Sequence, residues 1–307
     1  MSTAAAIEAR GLAKSFGSKA AVQPFELAVE PGAVTGLLGP NGSGKSTFLR
    51  MLVGLVPRDA GAVAVAGRAL AGDGAAVRRR CTYMPGETAL YKELRGDKHL
   101  EWLLRGRPRA ALSRAVEVAR QLGLPLERRV RAYSHGMKRQ LLLAACMGPD
   151  VPVRILDEPT EGLDPTKRAE VLALLEADAA AGGAVLLSSH HLAEVDRVCE
   201  RLFFLNDGRL LADERSDELH ERSRRLVRLQ WAPGVSAEDL APRLRELGAI
   251  EIRCDEARAT VLLAGADPRP FLARVAVDDG LPAPRAIVYG ELSLHELYRD
   301  LYGVEGV

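Results

Sequence analysis

Nine consecutive residues, Gly39 to Thr47 (GPNGSGKST), combine glycines, hydroxyls and one lysine at the spacing G-x-x-x-x-G-K-[ST]. That combination suits a polyphosphate. Gly42 and Gly44 let the backbone curl so that its N–H groups point inward. A helix beginning near Lys45 aims its positive end at the same point. Lys45 reaches β- and γ-phosphates, and the Ser46 hydroxyl can ligate a Mg²⁺ that bridges them. Pro40, Asn41, Ser43 and Thr47 complete the loop. Two carboxylates, Asp157 and Glu158, end a short apolar run that begins at Val153. Asp157 is expected to hold the metal and Glu158 to polarise an attacking water. Adjacent strand residues face opposite ways, but at a strand end the chain turns and both can face one crevice. Alone, such a pair reads as a surface turn; the apolar run and the glycine loop favour chemistry. His190 follows a second apolar run, Ala184 to Leu187, and so sits on the ligand edge of a parallel sheet. A lone histidine is more often structural. Beside two phosphate motifs it reads as a partner of the γ-phosphate or the lytic water. The second of those motifs is YSHGMKRQL, Tyr133 to Leu141, where Ser134 and Gly136 stand at a helix start suited to an anion.

Positioning these groups requires strands that end at the loop, at Asp157 and near His190, followed by helices. VTGLL (Val34 to Leu38) is a buried-strand pattern ahead of the glycine loop. Leu192, Val195 and Val198 mark one face of a helix after the histidines, with His191 at its start, and FFLNDGRLL reads as a hairpin turning at Asn206-Asp207-Gly208. Ile7 to Val34 and Gly61 to Tyr83 look like strands with glycine turns, whereas residues of about 88 to 145 are helical. The 307 residues suggest about two domains. With 42 basic and 41 acidic residues the net charge is +1, which lacks a nucleic-acid binder's global field. The basic clusters VRRRC, RGRPR and ERRVR read as solvated faces, or else as docking surfaces. Cys81, Cys146, Cys199 and Cys254 are scattered, which fits reduced thiols in a cytoplasm. MSTAAAIEAR is no signal peptide. No run approaches about 18 apolar residues, so a membrane role is expected of a separate chain.

Together, GPNGSGKST, YSHGMKRQL, LDEPTEGLDP and SSHH, in this order and spacing, resemble the ATP-binding subunits of ABC transporters over roughly residues 5 to 220. The resemblance implies an α/β, P-loop NTPase (RecA-like) core with an antiparallel β layer and a helical subdomain at about 88–150, where a membrane subunit docks. It implies ATP and Mg²⁺ as ligands, and two copies paired head to tail, with each ATP between one copy's P-loop and the other's signature helix. Ser134 and Gly136 would then bind the γ-phosphate of the partner's ATP, and Asp164 would lie at the dimer seam. Phe16 fits the family's aromatic that stacks on adenine; a core aromatic is the rival reading. The chain departs from the family at His135, often glycine, and at Met137, often glutamine. A side chain at 135 must therefore point away from the nucleotide. In CTYMPGETALY, Gly86 stands where the family usually has Gln or Glu after the proline. Either Glu87 substitutes, or the side-chain link to metal and water is missing. Arg154 interrupts its apolar strand; a long side chain could reach polar surroundings.

Residues 221–307 read as a small α+β domain. RRLVRLQWA is a strand, SAEDLAPRLRELG a helix capped by Ser236 with Asp239, and AIEIRC and ATVLLAG a hairpin pair. DPRPFLARVAVDDG is a second helix, PRAIVYGE a fourth strand and SLHELYRDLYG a final helix. The order β-α-β-β-α-β is ferredoxin-like, a split βαβ sandwich. Such a tail resembles that of the drug- and antibiotic-resistance (ABC-2 type) exporters. Its role is dimer stabilisation, regulation, permease contact, or none beyond solubility. The expected function is an ATPase motor, peripheral on the inner face of the cell membrane, driving a separate permease. The alternatives are an importer ATPase and a non-transport ABC ATPase.

Overall fold

The computed structural model describes residues 4–191 and 195–290. The chain divides into two compact units, Met1–Asp213 and Glu214–Val307. In the first, a six-stranded sheet runs Arg209–Arg215, Arg201–Asn206, Val34–Leu38, Ala184–Ser189, Val153–Asp157, Cys81–Met84. The last five are mutually parallel. Val34–Leu38, Val153–Asp157 and Ala184–Ser189 are buried at every position, as expected for parallel strands covered on both faces. Their carboxyl ends therefore emerge side by side at one edge.

A second sheet is antiparallel and joins Ile7–Phe16, Lys19–Val22, Glu26–Val29, Ala60–Val65 and Arg68–Ala69. Cys81–Met84 is not part of it, contrary to the expectation for the segment Gly61 to Tyr83. This strand pairs in parallel with Val153–Asp157. Four residues carry too little alternation to say which sheet they join, and the short helix Ala75–Arg78 carries the chain across. Both sheets share one core that includes Ile7, Val29, Leu37, Val65, Ile155 and Phe203. The helix Lys45–Leu52 is pinned into it by Phe48, whose ring stacks on Phe25 at 4.7 Å between centroids. Helices Gly96–Leu103, Arg109–Gln121 and His135–Met147 make the expected helical segment around their own cluster. Ala111, Ala115 and Ala119 lie on one face of the middle helix, four apart, and all are fully buried.

Arg154 resolves into a buried ion pair. Its guanidinium meets both Asp178 oxygens at 2.8 Å and donates to the Cys146 carbonyl at 2.7 Å. Asp178 lies in the helix Pro165–Ala180, so the pair ties that helix to strand Val153–Asp157.

The second unit contains Leu226–Gln230, Ala237–Glu246, Ala249–Asp255, Arg258–Leu263, Arg269–Ala276 and Ala286–Tyr289, in the order β-α-β-β-α-β. Its sheet runs second, third, first, fourth strand, with antiparallel neighbours, which is the split βαβ arrangement. Ser236 accepts the Asp239 N–H at 3.3 Å and caps the first helix. Trp231 centres the core and donates to the Pro282 carbonyl at 2.7 Å. Helix Ser216–Arg224 belongs to this unit. The helix expected at SLHELYRDLYG, and Leu192 of the helix after His191, lie outside the described residues.

The Arg154–Asp178 pair yields a stability test. Asp178→Ala strands a buried guanidinium and should cost about 3 kcal/mol, measured by urea denaturation. Asp178→Glu should lose less.

Candidate functional site

The glycine loop joins strand Val34–Leu38 to helix Lys45–Leu52. Gly44 caps that helix at φ 105, and a Cβ there would fall 2.3 Å from the Ala21 carbonyl oxygen, so only glycine fits. Above the loop lies a cleft of about 410 Å³, within the size range of small-ligand sites. Asn41, Gly42, Ser43, Gly44, Lys45, Ser46 and Thr47 line it, with Asp157, Glu158 and His190 from the other strand ends. Gly39 and Pro40 act through their carbonyls, which accept from the Lys45 ammonium at 2.6 and 3.1 Å. Burial pulls that ammonium below the ordinary lysine range, and the Glu158 carboxylate opposes the shift. Phe16 also lines the cleft; it is 55 % exposed, with the Lys14 ammonium 5.4 Å from its ring centroid. It is therefore no core aromatic.

Asp157 and Glu158 both reach the cleft because the chain turns sharply between them. Glu158 adopts φ 52, the left-handed region that non-glycine residues avoid. Its N–H donates to Ser188 Oγ at 3.0 Å, and the same hydroxyl donates to Asp157 Oδ1 at 2.7 Å. Glu158 Oε1 stands 3.6 Å from Lys45 Nζ, and Oε2 stands 3.0 Å from His190 Nδ1. Asp157 Oδ2 and Ser43 Oγ are buried with no hydrogen-bond partner. An orphaned carboxylate oxygen in a cleft that Ser46 also lines fits a divalent cation whose remaining ligands come from phosphates and water. Among the described residues no cluster of three His, Cys, Asp or Glu could hold a metal without such help.

Ser134 and Asp164 lie elsewhere. Ser134 accepts the Met137 N–H at 3.1 Å and caps helix His135–Met147. Asp164 accepts the Lys167 N–H at 3.0 Å and caps helix Pro165–Ala180. Both caps are exposed, and neither they nor Gly136 line the cleft. The His135 ring packs on Gly162, where an added Cβ would fall 2.5 Å from its Cδ2. The extra side chain is thus directed against the chain's own EGLDP loop.

A family model described as ABC transporter matches residues 22–161. A daunorubicin resistance ATP-binding protein from Streptomyces coeruleorubidus is 40% identical over 221 residues, 70% of this chain and 69% of the relative. The chain belongs to the ATP-binding subunits of ABC transporters. A daunorubicin/doxorubicin resistance ATP-binding protein from Streptomyces peucetius is 34% identical across 97% of this chain and 92% of its own length. A solved ATP-binding subunit of an ABC transporter superposes with a TM-score of 0.65 at 28% identity, covering 78% of this chain and 99% of that one. This ABC subunit is accordingly an ATP-binding ATPase.

Two residues escaped the sequence reading. Ser188 binds the Asp157 carboxylate and the Glu158 N–H, and its signal was a hydroxyl closing an apolar strand. Arg139 is a buried cation in the signature helix and, flanked by Lys138 and Gln140 just ahead of the apolar run from Leu141, it carried no distinct signal. Glu87, the residue that could substitute for a side chain at position 86, lines the cleft but is 85 % exposed and lies 3.7 Å from Arg50. A Cβ on Gly86 would stand 3.1 Å from Asp157 Oδ2. Gly86→Ala should therefore crowd the Asp157 carboxylate at a cost of about 1 kcal/mol. That amounts to roughly a fivefold rise in the Mg²⁺ needed for half-maximal hydrolysis, with metal-free ATP binding unchanged. A Mg²⁺ titration of ATPase rate checks it.

Proposed function

We propose that this ABC ATPase drives a separate membrane permease, in an exporter of the drug-resistance type, as a homodimer bridged by two ATP molecules. One observation carries the dimer: the P-loop cleft is lined by Lys45, Asp157, Glu158 and His190, while Ser134 and Asp164 stand exposed at other helix starts, with Gly136 half-buried two residues after Ser134. The helix start at Ser134 and Gly136, outside its own chain's cleft, suits the phosphate of a nucleotide held by another copy, with Asp164 at the seam between the two. Exporter work is supported by the two Streptomyces relatives, both resistance ATP-binding proteins by name. Among the described residues no helix is long and apolar enough to cross a membrane, so the spanning part falls to a partner chain, with this subunit on the inner face of the membrane.

The residues divide the reaction among themselves. The P-loop N–H groups and Lys45 hold the β- and γ-phosphates, and Phe16 offers a stacking face to adenine. Mg²⁺, held by Ser46 and Asp157, would neutralise phosphate charge. Glu158 orients the water, and His190 fixes the Glu158 carboxylate from its other side. Ser134 and Gly136 of one copy close the γ-phosphate of the other. Hydrolysis removes the bridging charge, so the ligand sets the balance between closed and open dimers.

Glu158→Gln should bind ATP, lose at least about 10²-fold in turnover and accumulate as a dimer. Light scattering with and without Mg-ATP checks this, and a protein that remains monomeric sinks the homodimer. Ser134→Arg should lower hydrolysis by about 10²-fold while ATP binding to the monomer stays within about twofold. Equal loss of both would make the signature a structural cap only.

A further inference from the structure

Arg139 is fully buried, a little over one turn into the signature helix from its Ser134 cap. Its Nη1 donates to the carbonyls of Pro85, at 3.3 Å, and Gly86. Its Nη2 donates to the carbonyls of Asp157, at 2.9 Å, and Glu158. The Glu161 carboxylate stands 3.8 Å away. These four carbonyls belong to the ends of two adjacent parallel strands, which pair last at Met84 and Leu156. Past that point these two strands no longer pair with each other, although Asp157 still pairs with Ser188 on its other side, and unpaired buried carbonyls are costly. One planar guanidinium, with its donors in a fixed fork, spans both strand ends.

Two consequences follow for the chemistry. Glu158 sits in a left-handed conformation that persists only where its surroundings hold it. Ser188 holds its N–H and Arg139 holds its C=O. Position 86, where the family usually has a glutamine or glutamate, is a glycine, and its backbone rather than a side chain ties this loop to the site.

We propose that Arg139 is a positioning residue for hydrolysis, clamping the Glu158 turn and the Gly86 loop to the signature helix. Engagement of that helix with a partner's nucleotide would then set the geometry of the chain's own catalytic carboxylate. This second part rests on the ATP-bridged dimer proposed above.

The test uses the full chain with Arg139→Met and Arg139→Lys. Arg139→Met should lower kcat by about 10²-fold, the usual result of a misplacement near 1 Å. KM, and ATP affinity of the monomer read with a fluorescent ATP analogue, should stay within about twofold. Lysine, a single point donor, should recover only part of the rate. Combined with Glu158→Gln, Arg139→Met should still dimerise on Mg-ATP. Turnover within about twofold of wild type, or ATP affinity lost in step with kcat, overturns the proposal. If Arg139→Met does not fold, Arg139→Lys decides alone: at least a tenfold loss of kcat at unchanged affinity supports it, and wild-type turnover overturns it. Glu158→Gln with Arg139 intact reports on the dimer separately. If that protein stays monomeric, the coupling between copies is overturned, while the kinetic comparison still decides the clamp.

Discussion

The site depends on one constraint, the left-handed turn at Glu158. A strand buried on both faces would send Asp157 and Glu158 in opposite directions. The turn brings both carboxylates to the same edge, where Lys45 and His190 flank the second of them. Such a conformation costs of the order of 1–3 kcal/mol, and the surrounding bonds offset it. Ser188 binds the N–H of the strained peptide and the Asp157 carboxylate at once, while Arg139 binds the carbonyl on the other side. The parallel sheet, the signature helix and the glycine loop are all fastened within a few ångströms of this turn.

Much of this was legible because it is local in the chain. The glycine loop declares itself through residues within nine positions, and the strand-end carboxylates and His190 through the apolar runs before them. The second unit was legible for a related reason: strands interleaved with two helices, the first capped by Ser236, spell out β-α-β-β-α-β one element at a time, and the observed sheet order adds only which strands meet. Harder features have partners far away in sequence. Arg154 looked like an interruption until Asp178, 24 residues later, supplied both its carboxylate oxygens. Arg139 reaches carbonyls 53 and 54 residues upstream, and carbonyls have no sequence signature at all. Cys81–Met84 failed differently, since a four-residue strand says too little about its neighbours.

The two departures in the motifs have different physical meanings. At Gly86 a side chain is absent, and the loop is held by its main chain instead. At His135 a side chain is added and packs on Gly162 of the same chain. The first moves a structural task from one residue to another. The second adds a contact between the signature helix start and a loop that the Arg139–Glu161 pair already brings near that helix.

That contact also bears on how this sequence can drift. Gly162 sits at φ 70, and the His135 ring occupies the space its Cβ would need. Positions 135 and 162 are thus not independent. While the imidazole is present, any substitution at 162 meets both backbone strain and a ring, and only after 135 becomes small does 162 face the backbone term alone. The order in which two such changes can be accumulated is therefore fixed by geometry, with the helix start free to change first and the loop second.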